Sequence, residues 1–251
     1  MVGAEFFDRF GLEVIFRVAH VVVGITWIGL LYYFNVVQVP AFAELDPGQR
    51  NAAIDKIASR ALWWFRWAAL ATFVMGVLIL GTQDPGSGAD SGFSSDYWGT
   101  LAGTSILTGM LLGTTMFLNV WLIIWPAQKI VIANARNVLA GGEADPNAAA
   151  AGRKALLASR TNTFFSLPLI WFMVSTGFVG GLGFGTQDGI LVYWIVVLIL
   201  WAVLEAFGCG MIGGTGQTTL RKWQESTVGV ISASVVLWVV FLLIWFALLN
   251  P

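Results

Sequence analysis

Apolar residues run through this chain in six long blocks separated by polar stretches. The blocks cover roughly 12–40, 61–82, 101–126, 162–183, 189–211 and 228–249. About 20 apolar residues cross the hydrocarbon core of a bilayer, and each block is of that length. The pattern predicts an all-α polytopic membrane protein with about six transmembrane helices in a single domain over 1–251. Residues 4–10 are expected to add a short interfacial helix ahead of the first span.

The polar positions inside the blocks are not scattered. In the first block Glu13, Arg17, His20, Gly24, Trp27, Leu31, Phe34 and Gln38 recur at helical spacing, while Val, Ile and Leu fill the remaining faces. Lipid would leave those polar groups unsatisfied, so the stripe is expected to face protein.

The pattern also repeats. Asp46-Pro47, then Ala58-Ser59-Arg60, a span, and Gly81-Thr82-Gln83-Asp84 return as Asp145-Pro146, Ala158-Ser159-Arg160, a span, and Gly185-Thr186-Gln187-Asp188. The preceding spans carry Asn35-Val36 with Pro40 and Asn119-Val120 with Pro126. We therefore expect two parallel copies of one hairpin, approximately 12–84 and 101–188, followed by an unrelated third hairpin, 189–249. Parallel repeats of this kind occur in other membrane folds. Between spans three and four, Gln128–Leu139 should prolong the third helix beyond the membrane. Gly141-Gly142 should stop it, and Asp145-Pro146 should begin the next helix as cap and first residue. Asp46-Pro47 is expected to do the same in the first hairpin.

Charge sets the orientation. Arg50, Lys56 and Arg60, then Lys129, Arg136, Arg153, Lys154 and Arg160, then Arg221 and Lys222 all fall in alternate connections. The other two connections carry only Asp84, Asp90, Asp96 and Asp188. By the positive-inside rule both termini are expected outside, which is the periplasmic face if the membrane is the inner membrane of a Gram-negative bacterium. The first ten residues show no basic n-region or h-region, so the first helix is expected to serve as the targeting signal.

Composition narrows the chemistry. The 251 residues are 57% hydrophobic and 11% charged, with mean hydropathy +0.79, against about 25% charged in globular domains. The net charge of −1 offers no basic surface for nucleic acid. The single Cys, Cys209, excludes an intrachain disulfide and a C-x-x-C-H haem attachment. The single His excludes a bis-histidine haem or a multi-histidine metal site within one chain.

His20 has three readings: an interhelical hydrogen bond, a ligand or substrate contact, and a proton relay. Arg17 suits a planar anion, while its structural alternative is an i, i+4 pair with Glu13. Arg60 and Arg160 close the two inside connections and are expected to snorkel to lipid phosphates. Thr161, Asn162, Thr163 and Ser166 make the fourth span polar at its inner end, and Pro168 permits a local break there; together they line a cavity or bond between helices. Asn119 sits near Thr104, Thr108 and Thr115. Glu205 lies mid-span, where a carboxylate is a functional candidate by default.

Three segments, RVAHVVVGITWIG, NVWLIIWPAQK and ASRTNTFFSLPLIWFM, resemble the membrane domain of bacterial urate oxidases of the PuuD type (urate hydroxylase, N-terminal domain). The resemblance runs from about residue 10 to residue 183. It implies multi-span proteins with a C-terminal cytochrome c domain that oxidise urate to 5-hydroxyisourate and pass electrons to the cytochrome. Here the sequence reaches Pro251 directly after the sixth span, so the expected acceptor is a separate cytochrome c. Ser175-Thr176-Gly177-Phe178 stands where the resemblance leads us to expect a histidine. Under this reading His20, Arg17 and Trp27 line an outer-side site, with haem b as candidate cofactor and His20 as one axial ligand. Asn119, Arg160, Asn162 and Glu205 are candidates to line a substrate cavity. The alternatives are a non-catalytic structural or accessory subunit of a larger membrane complex, and a transporter for a small purine-like solute.

Overall fold

The computed structural model describes residues 8–84, 91–179 and 187–249, and among them every regular element is helical. Eight helices follow in order. They are α1 (Arg9–Glu44), α2 (Pro47–Thr82), α3 (Ser95–Trp98), α4 (Leu101–Leu139), α5 (Ala148–Val179), α6 (Ile190–Gly208), α7 (Lys222–Glu225) and α8 (Thr227–Leu249). Five of them, α1, α2, α4, α6 and α8, are long and apolar enough to cross a membrane. The remaining long helix, α5, is the expected fourth span. The N-terminal part of that span carries Arg160, Thr161, Asn162, Thr163 and Ser166, which lower its hydropathy, and its expected end at 183 lies outside the described residues.

That polar helix survives because it is the centre of the bundle. α5 packs on α1, α4, α6, α7 and α8, so its hydroxyls and amides meet protein and not lipid. α1 packs chiefly on α2, α4 on α5, and α8 on α5 with a smaller contact to α6. The lipid-facing sides are apolar: Leu191, Ile195, Ile199 and Val203 form one exposed stripe along α6. Exposed Trp63, Trp64 and Trp67 on α2 suit the bilayer interface, where indoles prefer to sit.

Caps follow from local sequence. Asp46 and Gln49 form a reciprocal capping box at the start of α2, with Pro47 as first residue. Gly141, at φ 84°, ends α4: its N–H bonds Val138 O and that of Gly142 bonds Asn137 O, a Schellman arrangement. The start of α5 departs from expectation. Asp145 accepts from the Asn147 N–H in a turn, and the helix begins at Ala148, two residues beyond Pro146. Pro168 does not break α5, which runs continuously through it. Of the expected interfacial helix at 4–10, residues 4–7 lie outside the described residues.

Three helices contain a wide π-turn: Tyr33–Gln38 in α1, Ile54–Ala58 in α2 and Asn119–Ile124 in α4. π-turns are rare and often mark functional positions. Those in α1 and α4 contain the two Asn-Val steps of the repeat.

Candidate functional site

The polar stripe of α1 divides among three surroundings. Arg17 pairs with Glu13 at 2.7 Å, and its side chain is half exposed. His20 places Nδ1 2.9 Å from the backbone carbonyl of Thr72 on α2. Trp27 is buried in the core with its indole N–H unpartnered. Among the described residues no hydrogen bond joins Arg17, His20 and Trp27 to one another.

This geometry tests the haem expectation. An imidazole donating Nδ1–H to a carbonyl is oriented as metal-bound histidines commonly are. The space is wrong, however. A Cβ placed on Gly76 would lie 3.2 Å from His20 Cε1, and one on Gly24 would lie 3.8 Å from a Thr72 methyl. The two helices therefore pack directly against each other at this level. On the Cε1 side of the ring that packing leaves no room for a macrocycle.

The candidates on α4, α5 and α6 behave differently. Asn119, at the start of the α4 π-turn, donates Nδ2–H to Asn162 Oδ1 at 2.9 Å and to Glu205 Oε2 at 3.3 Å. Asn162 donates to the Met116 carbonyl at 3.0 Å. The Cys209 thiol lies 3.1 Å from Glu205 Oε1 and 3.6 Å from Asn119 Oδ1. Three helices thus bring Asn119, Asn162, Glu205 and Cys209 into one buried polar cluster. Asn119, Asn162 and Glu205 are candidates from the sequence; Cys209, which there serves only to exclude a disulfide and a covalently attached haem, joins them here.

Below the cluster the network continues toward the basic end of the bundle. Gln224 Nε2 reaches Thr161 Oγ1 at 3.3 Å and the Gly208 carbonyl at 3.1 Å. Arg221, fully buried against the Phe207 ring, donates to Gln224 Oε1 at 2.9 Å and to Ile212 O at 3.0 Å. Arg153 grips Glu225 through two bonds of 2.9 and 2.6 Å. Arg160 corrects the expectation of snorkelling. It is buried, 5% exposed, and donates to the Gln224 carbonyl. Its counterpart Arg60 is exposed and bonds Lys56 O. Neither Gln224 nor the burial of Arg221 was signalled in sequence, because the basic connection carrying them has no pattern until it folds back under α5.

One cavity, of about 380 Å³, opens between the two hairpins at the end where α1 turns into α2. Asn35, Gln38 and Ser159 lie on its wall, none of them named by the sequence reading as a site residue. The Asn-Val step common to α1 and α4 was the available signal: it put Asn35 in register with Asn119.

The family model "Urate oxidase N-terminal" matches residues 96–242. The chain belongs to the urate oxidase N-terminal family. The match takes in α4 to α6, α7 and most of α8, and with them Asn119, Asn162, Glu205, Cys209, Arg221 and Gln224. It contains two of the three resembling segments. The first segment, with His20, lies before it, and the match continues well past residue 183. No curated protein and no solved structure matches the chain.

Proposed function

We propose that this member of the urate oxidase N-terminal family is a redox-linked protein of the bacterial inner membrane that hands electrons to a separate cytochrome c. One observation carries the reading. The region matched to the family holds a buried carboxylate, Glu205, bonded to Asn119 and Cys209 from neighbouring positions of the bundle. Ionisable groups inside a membrane are costly and are kept for work. Oxidation of urate with water to 5-hydroxyisourate releases two electrons and two protons. The electrons go to cytochrome c haem, and Glu205 is the group of this cluster that can accept and release a proton. From Glu205 the contacts run through Cys209 and Thr161 to Gln224, toward the basic end.

The distribution of Lys and Arg supports placing that basic end inside and both termini in the periplasm. The shared π-turns at Asn35 and Asn119 support reading α1–α2 and α4–α5 as a duplicated hairpin.

The test is urate-dependent reduction of ferricytochrome c by the protein purified in mild detergent. We expect reduction by the wild type and at least a tenfold slower rate in Glu205→Gln. Absence of reduction with cytochromes c from the source membrane overturns the reading. A second reading, a non-catalytic accessory subunit, is favoured by the polar stripe of α1: Glu13, Arg17 and His20 are satisfied by structural partners alone. Stoichiometric co-purification with other subunits and no cytochrome reduction would establish it.

A further inference from the structure

Two cations at the basic end of the bundle share one tryptophan and meet no carboxylate. Arg66 of α2 lies over the Trp125 ring of α4, its Cζ 3.7 Å from the centroid, with the Trp67 ring 6.0 Å away. Lys129, one turn beyond Trp125 on α4, places Nζ 5.9 Å from the same ring. The only carboxylate on α2 is Asp55, already held by Lys56 at 2.7 Å and Arg136 at 2.6 Å, and α4 has none. The other ion pairs among the described residues, Glu13–Arg17 and Glu225–Arg153, lie elsewhere in the bundle. Arg66 and Lys129 are thus surplus positive charge on the α2–α4 face.

The depth of Arg66 makes that surplus significant. It stands inside the apolar block 61–82, and Trp63, Trp64 and Trp67 beside it are exposed. Trp67 meets Trp121 edge to face at 5.5 Å and Trp63 at 6.2 Å, so indoles of both helices surround the guanidinium. Indoles gathered in this way mark the headgroup level of a bilayer. A cation at that level is costly unless an anion reaches it, and the anion present there is lipid phosphate. Stacking on Trp125 occupies the face of the guanidinium and leaves its N–H edge for the oxygens of a phosphate. The Lys129 ammonium supplies a second positive charge. In a zwitterionic lipid the phosphate carries an ammonium group of its own, which would add positive charge beside these two cations. The arrangement therefore favours a headgroup of net negative charge.

We propose that the α2–α4 face binds an anionic phospholipid, its phosphodiester held between Arg66 and Lys129 with the indoles of Trp67 and Trp125 flanking the headgroup. Basic pockets between transmembrane helices receive such headgroups. The proposal does not depend on electron transfer.

The test titrates the full chain in detergent with dioleoylphosphatidylglycerol or dioleoylphosphatidylcholine and measures bound lipid by native mass spectrometry. We expect the first phosphatidylglycerol to bind about tenfold more tightly than phosphatidylcholine, and Arg66→Gln and Lys129→Gln each to weaken it about fivefold, the worth of one basic residue near a lipid headgroup. Arg136→Gln removes a cation already paired with Asp55 and should change the affinity less than about twofold. Equal affinity for the two lipids, or the same loss in all three variants, as diffuse attraction to the basic end would give, overturns the proposal. Inorganic phosphate should displace no more lipid than chloride does at equal ionic strength; specific displacement would assign the site to free phosphate and overturn the lipid. If Arg66→Gln does not fold, Lys129→Gln, whose side chain is exposed, decides against Arg136→Gln.

Discussion

Asn119 on α4 and Asn162 on α5 meet amide to amide at 2.9 Å in the centre of the bundle. This contact ties the two arms of a hairpin together at the level where Glu205 and Cys209 arrive from α6 and its end. Interhelical hydrogen bonds in membranes are worth about 0.6 kcal/mol on average. Orphaning a buried polar group costs about 1–3 kcal/mol. The second effect dominates here, because Asn162 Oδ1 and Glu205 Oε2 share the same donor. Asn119→Leu should therefore lower stability by about 2 kcal/mol, read as the shift in unfolding free energy in detergent. A change below about 0.5 kcal/mol would show that the cluster relaxes without it.

Gly208 ends α6 hard against α5. A Cβ there would lie 2.5 Å from Thr161 Oγ1, which is itself bonded to Leu157 O and Gln224. The hydroxyl cannot move without losing both bonds. Gly208→Ala should cost about 1–3 kcal/mol by overpacking, while Gly29→Ala, whose Cβ would meet nothing within 4 Å, serves as control. Equal thermal stability of the two variants would contradict the close approach of α5 and α6.

The Arg153–Glu225 pair predicts a pH dependence. Hydrogen bonds from Arg153 hold the Glu225 carboxyl below its ordinary value of 4.5. Its folded-state pKa is thus lower than its unfolded-state pKa. The stabilisation is fully present above the unfolded value and is lost as pH falls through the folded one. The stability difference between wild type and Glu225→Gln should be constant from neutrality down to about pH 5 and should shrink on further acidification. Its size at neutral pH should be about 1 kcal/mol, as for a well-oriented, partly exposed ion pair. Tryptophan fluorescence during unfolding at a series of pH values measures it, and a difference that persists at the acid end would refute the assignment.

His20 bonded to Thr72, with Gly76 against its ring, predicts a packing role at that position. His20→Gln, which can still donate to the Thr72 carbonyl, should keep the fold and leave the visible absorption spectrum of the purified protein unchanged. Loss of a Soret band in this variant would show haem bound through His20 and refute the packing role.

Much of this architecture was legible before folding. Block length predicted about six spans, and the helices found at those positions differ from them mainly in running further into the basic connections, as α1, α2, α4 and α5 do. The capping box at Asp46 and the stop at Gly141-Gly142 were readable because they depend on neighbours within five residues. The polar stripe of α1 was a weaker guide. Helical spacing put Arg17, His20 and Trp27 on one line, but Glu13, Thr72 and the core each claimed one of them. Conversely, Arg160 read as a surface cation and is buried, because Gln224 folds back from a distant connection to receive it.

The linear order of apolar and polar residues thus determined the helices and placed Asn119, Asn162 and Glu205 within spans. Those are consequences of local hydrogen bonding and of the cost of polar groups in lipid, which act along the chain. Tertiary structure alone decided which polar groups meet. It joined Glu205 to Cys209 and Asn119, buried Arg221, and left Asn35 Oδ1 buried without a donor. Such pairings depend on helix rotation and on glycine-sized clearances such as those at Gly76 and Gly208, which no single segment of the chain encodes.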